Sequence, residues 1–95
     1  MISRLATQAY SDADKVRTLI AQYVGLDIKQ VTDEAHLSDD LGLDWLDQLE
    51  LMVVIEDEFM GVEFFANTIA HIELVGDLIR HVEYHNEAPI RRSAA

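Results

Sequence analysis

Carboxylates are the commonest chemically capable side chains in this chain. Of its 95 residues 18 are Asp or Glu, against 7 Lys or Arg, and the formal net charge is −11. Twelve of the acids fall between Asp27 and Glu63, where Lys29 is the one base. Paired carboxylates do acid–base chemistry when their surroundings push their pKa values apart inside a cleft. Here no nucleophile or Gly-rich loop accompanies them, so no enzyme is expected. Asp39, Asp40, Asp44 and Asp47 do not have the spacing of a calcium loop. Of the four His, only His81 and His85 stand one helical turn apart. There is no HExxH pair and His36 is distant in sequence, so solvated His and no metal site are expected. The absence of Cys removes disulfides and thiolate ligands.

The stretch that concentrates unusual residues is Leu41-Gly42-Leu43-Asp44-Trp45-Leu46-Asp47-Gln48-Leu49-Glu50-Leu51. Asp44 suits a helix N-cap, and Asp47 stands three positions on, where a carboxylate reaches back to the free N–H groups of the first turn. Trp45, the single Trp of the chain, follows the cap directly, at a position that predicts an exposed edge.

The elements around it are legible from period and caps. Ser11, with Asp14 three residues later, opens a helix over about 12–24. Its apolar stripe is Val16, Leu19, Ile20, Tyr23 and Val24, and Gly25 ends it. From Gly25 to Leu43 no period holds. Leu26, Ile28, Val31, Leu37, Leu41 and Leu43 are spaced as anchors for a long connection, and Ser38 to Leu41 suits one helical turn. A second helix runs from about Trp45 to Phe59, with Leu51, Met52, Ile55 and Phe59 as its core stripe. Leu46, Glu50, Val53, Val54 and Asp57 lie roughly opposite, an apolar face interleaved with acids that reads as a partner surface. Cover by the long loop is the competing reading. Val62 to Phe65 is a short link in which Phe64 and Phe65 suit core packing, and Ala66 to Ala70 suits a short helix or turn. Val75, Leu78, Ile79 and Val82 give a last helix from about Leu74 to Tyr84, with Gly76 inside it costing about 1 kcal/mol against Ala. The fold expected is all-α: a small bundle of three main helices plus a short extra helix, with a long first loop. One domain over 11–86 is expected, with an extension over 1–10 and a flexible tail over 87–95.

In order, spacing and acidity the chain resembles the acyl carrier proteins. The residues that carry the resemblance are Val24-Gly25, Val31-Thr32, Asp40-Leu41-Gly42, Asp44-x-Leu46-Asp47, Glu50-Leu51, Glu56-Asp57-Glu58-Phe59 and Ile72-x-x-Val75-x-Asp77-Leu78. The resemblance implies a carrier fold and a helix that docks on acyl-handling enzymes of fatty-acid, polyketide or lipid synthesis. In that family a Ser between the Asp and the Leu carries 4′-phosphopantetheine through a phosphodiester. Here that position is Trp45, which has no hydroxyl, so no cofactor is expected on the chain as written. Ser38, Thr32 and Thr68 do not match the motif. Three readings stay open: a natural carrier-like protein without its arm, a carrier whose Ser has been replaced by design, or a natural variant whose Trp45 contacts a partner. The alternative function is a carrier-derived structural or regulatory module that uses Trp45 as an interaction hot spot. Where the family has an Ile-Pro pair before the short helix, this chain has Val62-Glu63-Phe64-Phe65.

The concentrated negative field repels nucleic acid and anionic membranes and favours basic protein surfaces as partners. No apolar run is long enough for a membrane span. Residues 1–10 do not read as a secretory signal, so a cytoplasmic protein is expected. It is expected to be a monomer, with self-association through Trp45 as the competing state.

Overall fold

The computed structural model describes residues 11–94, with side chains through Asn86. The expected extension over 1–10 lies outside the described residues. The elements in order are α1 (Asp12–Val24), a 3₁₀ turn (Ile28–Gln30), α2 (Trp45–Glu58), α3 (Ala66–Ala70) and α4 (Val75–Ala94). Among the described residues the only extended pairing is an isolated bridge between His36 and Leu74. The fold is all-α, with three main helices and a short fourth.

Except for α3, the helices start where a side chain meets their free N–H groups. Ser11 and Asp14 form a reciprocal capping box on α1, and Asp27 and Gln30 do the same for the 3₁₀ turn. Gly25 ends α1 at φ 76°, and its N–H donates to the Ala21 carbonyl. The core is apolar throughout: Val16 and Ile20 of α1, Leu51, Met52 and Ile55 of α2, and Val75, Leu78 and Val82 of α4 are almost wholly buried, joined by Val31, Leu37 and Leu43 from the loop. No described side chain with a polar group is buried there. α1 packs against both α2 and α4.

The long loop is held by backbone hydrogen bonds as much as by apolar anchors. The Leu37 N–H donates to the Glu73 carbonyl at 2.9 Å, the Val75 N–H to Ala35 at 2.9 Å and the Gly76 N–H to Asp33 at 2.9 Å. Arg17 adds an ion pair to Asp33 at 2.6 Å. Gly76 therefore has a packing reason to be Gly: a Cβ there would stand 3.1 Å from the Asp33 carbonyl oxygen, which its own N–H holds in place. The helix-propensity cost read from the sequence is set against a loop that could not otherwise lie this close.

Asp77 fixes the start of α4. Its Oδ2 accepts from the N–H groups of Leu74 at 3.0 Å and Glu73 at 3.1 Å, and its Oδ1 from Arg80 at 2.7 Å. Burial pushes its carboxyl up, but the Leu74 and Glu73 N–H groups and the Arg80 guanidinium outweigh it and hold the carboxyl below its ordinary 3.8. A carboxyl depressed on folding stabilises the fold above its unfolded pKa, and that contribution is lost as pH falls through the lower folded value. Asp77→Ala should cost about 1–2 kcal/mol at pH 7. Urea unfolding at a series of pH values should show the gap to the parent chain closing below pH 3.8; a gap independent of pH would contradict this account.

Four expectations change. Ile28 is 43% exposed and anchors nothing, because it sits on the outer side of the 3₁₀ turn; Leu26 and Leu41 are half-buried. Ala35, unremarkable in the sequence, is buried under the loop. Phe65 is 60% exposed at the N-cap position of α3, so only Phe64 of the pair packs inward. The last helix does not stop at Tyr84: its backbone is helical through Ala94, passing Pro89. The apolar stripe that predicted its length covers the core-facing part, in which Val82 is the last buried residue among the described side chains.

Candidate functional site

Gly42 sets the entry to α2. It takes φ +72°, which a side chain would strain, and turns the chain out of the Ser38–Leu41 turn. The Leu43 N–H then donates to Leu37 at 2.9 Å, which brings Asp44 to the helix end. Asp44 Oδ1 accepts from the Asp47 N–H at 2.8 Å, and Asp47 Oδ2 from the Asp44 N–H at 3.2 Å, a capping box made of two acids. Their negative charge also suits the positive end of the helix dipole. Gln48 turns back, its Nε2 donating to the Leu43 carbonyl at 3.0 Å. Trp45 is the first residue of α2 and is 56% exposed.

Leu46, Glu50, Val53 and Asp57 follow at i, i+4, i+7 and i+11, which is one stripe of a helix. Leu46 is 61% and Val53 63% exposed, and Glu50 and Asp57 are exposed between and beyond them. Val54 is half-buried at the flank. The long loop does not cover this face, which was the competing expectation.

Two acids of the region have structural partners that periodicity could not reveal. The Tyr23 hydroxyl of α1 donates to Glu50 Oε1 at 2.6 Å. That bond, then partial burial, then the negative charges of Glu50, Asp47 and Asp44 push the Tyr23 hydroxyl up from 10.0 to about 12. Glu50 is thus an outward acid whose carboxylate is already oriented. Glu56 accepts from the Phe64 N–H at 2.7 Å and fastens the link after α2.

A groove of about 330 Å³ opens beside Trp45, between the loop, the start of α2 and the end of α3. Its lining is mostly polar: His36, Asp39, Gln48 and Glu73 stand with the exposed Trp45, while Leu37, Ile69 and Ile72 are almost wholly buried beneath them. Ser38 also lines it.

Among the described residues no group of three or more His, Asp or Glu is placed to hold a metal ion. His81 is not the solvated surface residue expected. Its ring stacks on Phe64 with centroids 4.6 Å apart, its Nε2 lies 2.8 Å from the Glu63 carbonyl oxygen, and it abuts His85 at 4.4 Å. It holds the Val62–Phe65 link against α4. His71 Nδ1 lies 2.7 Å from the Asn67 carbonyl oxygen. No helix of the described residues is long and apolar enough to cross a membrane.

The family model described as "Phosphopantetheine attachment site" matches residues 14–82. An acyl carrier protein of Thermotoga maritima is 42% identical over 69 residues, covering 73% of this chain and 84% of that protein. The matched span begins in α1, takes in the long loop, α2 and α3, and ends in α4 at the buried Val82. Both likenesses are to carriers rather than catalysts, in keeping with acids that lie on an outward helix face. With its helix order, its acid-capped α2 and these two matches, the chain belongs to the acyl carrier protein family.

Proposed function

We propose that this protein is a carrier-type domain that docks on acyl-handling enzymes through α2 and, as written, carries no phosphopantetheine arm. The observation that supports the second half is Trp45 at the first position of α2, directly after Asp44, the position to which the motif resemblance assigns the Ser that takes the arm. An indole offers one N–H and no hydroxyl, so a phosphodiester has nothing to form on. Ser38 lines the neighbouring groove but sits in the preceding turn, outside the Asp44-x-Leu46-Asp47 motif. Incubation with coenzyme A and a phosphopantetheinyl transferase should leave the intact mass of the chain unchanged; an adduct would show that another hydroxyl serves.

The docking half is supported by the stripe of Leu46, Glu50, Val53 and Asp57. It is exposed, and it belongs to a segment whose acids favour basic partners. Val54 flanks the contact. Glu50→Lys with Asp57→Lys should abolish binding to a carrier-dependent enzyme in a direct titration. Circular dichroism would confirm that the helices survive loss of the Tyr23 bond, and unchanged affinity would count against docking through this face. The second reading, a structural or regulatory module, is favoured by one observation: Trp45, Leu46 and Val53 are all more than half exposed. In that case Trp45→Ala weakens binding more than loss of the acids does, and added salt has little effect.

A further inference from the structure

We infer that Tyr23 of α1 is a positioning residue for the outer face of α2: it holds the Glu50 side chain in one orientation before any partner arrives. The inference rests on the reading that α2 is the docking helix. Its basis is a single bond between helices. The Tyr23 hydroxyl donates to Glu50 Oε1 at 2.6 Å, the short length expected when the acceptor is ionised. The donor has a fixed mount, because Tyr23 is half-buried and packs against the core. A Tyr side chain also turns about only two torsions. Glu50 is exposed, and without a tie its longer side chain samples many rotamers. The bond takes one carboxylate oxygen and leaves the second for a partner.

A purely structural role accounts for less. Val16 and Ile20 of α1 and Leu51 and Ile55 of α2 are buried in the shared core, and one hydrogen bond at the surface adds little to that packing. What the bond changes is the cost of ordering Glu50. A side chain that loses rotamer freedom on binding subtracts that loss from the affinity. With Tyr23 in place the loss is incurred on folding instead. Asp57 of the same stripe stands two turns further along α2, out of reach of the Tyr23 hydroxyl. It is an internal control, an exposed acid that Tyr23 does not order. In this account α1 takes part in docking without touching the partner.

The test is a double-mutant cycle on the full chain, titrated into the carrier-dependent enzyme that serves for the charge-reversal pair. Circular dichroism checks that every variant remains helical. Tyr23→Phe keeps the ring and removes the hydroxyl, and should weaken binding about two- to tenfold. In a Glu50→Ala background the same change should have no effect, and in an Asp57→Ala background it should have its full effect. A merely structural role would give one loss in all three backgrounds, and that result would overturn the proposal. So would a Tyr23→Phe chain that binds like the parent. The outcome is separable from that of the docking test. If Glu50→Lys with Asp57→Lys leaves affinity unchanged, the docking reading falls and takes this proposal with it. If charge reversal abolishes binding while Tyr23→Phe changes nothing, this proposal falls alone.

Discussion

Trp45→Ser is expected to gain one phosphopantetheinyl group, in full, when incubated with coenzyme A and a phosphopantetheinyl transferase, while the parent chain gains none. The change supplies a hydroxyl at the first position of α2, and little around it needs to move. Trp45 is more than half exposed, so its loss opens no core cavity. The Asp44–Asp47 box that starts the helix is made by neighbouring side chains and survives the change. The Asp44-x-Leu46-Asp47 frame is the one that the proposed reading takes as the attachment motif. A helix N-terminus also favours the phosphate that would be attached. Intact mass separates the outcomes cleanly. No adduct on Trp45→Ser would mean that the attachment frame itself has diverged, and that the carrier resemblance ends at the fold.

The second large effect separates the two faces of α2. Leu51→Ala removes a fully buried side chain from the centre of the core and should cost about 3 kcal/mol, from lost transfer energy plus the cavity left behind. Val53→Ala, two residues on and 63% exposed, should change stability by no more than about 0.5 kcal/mol, since Ala is the better helix former there. Binding to a carrier-dependent enzyme should respond in the opposite order: Val53→Ala weakens it, while Leu51→Ala, at temperatures where it remains folded, does not. Urea denaturation and a binding titration on the two variants check this. A Val53→Ala chain as unstable as Leu51→Ala would show that the outer stripe is core after all.

Much of this was legible in the sequence because it rests on local rules. The caps at Ser11 and Asp44, the stop at Gly25, and the core faces of α1, α2 and the first half of α4 follow from short-range hydrogen bonding and a period of 3.6. What was not legible depends on residues that meet across the fold. Gly76 reads as a weak point in a helix until Asp33 is seen lying against it. Ala35 has too small a side chain to mark itself as core. Tyr23 counts as a member of the α1 stripe, and nothing local says that its hydroxyl reaches Glu50 across 27 positions of chain. Phe65 was misplaced because two adjacent aromatics in an extended link point to opposite sides, and one of them must face out. The site shows the same division. The motif names Trp45, Leu46, Glu50 and Asp57 in one dimension. The groove that joins Trp45 to Asp39 and Glu73 exists only once α3 folds back beside the loop.

The five residues of α3 carry one further meaning. Only Ile69 among them is buried, and Phe65 caps the helix with no side-chain hydrogen bond. Such a turn is close to the minimum that backbone order can sustain, and it opens by local unfolding at a small fraction of the free energy needed to unfold the whole domain. One wall of the groove is therefore held far more loosely than the α2 wall opposite. Any widening of the cleft beside Trp45 on that side would uncover Ile69, a member of the core, so the contacts of this one side chain set how far the wall can move.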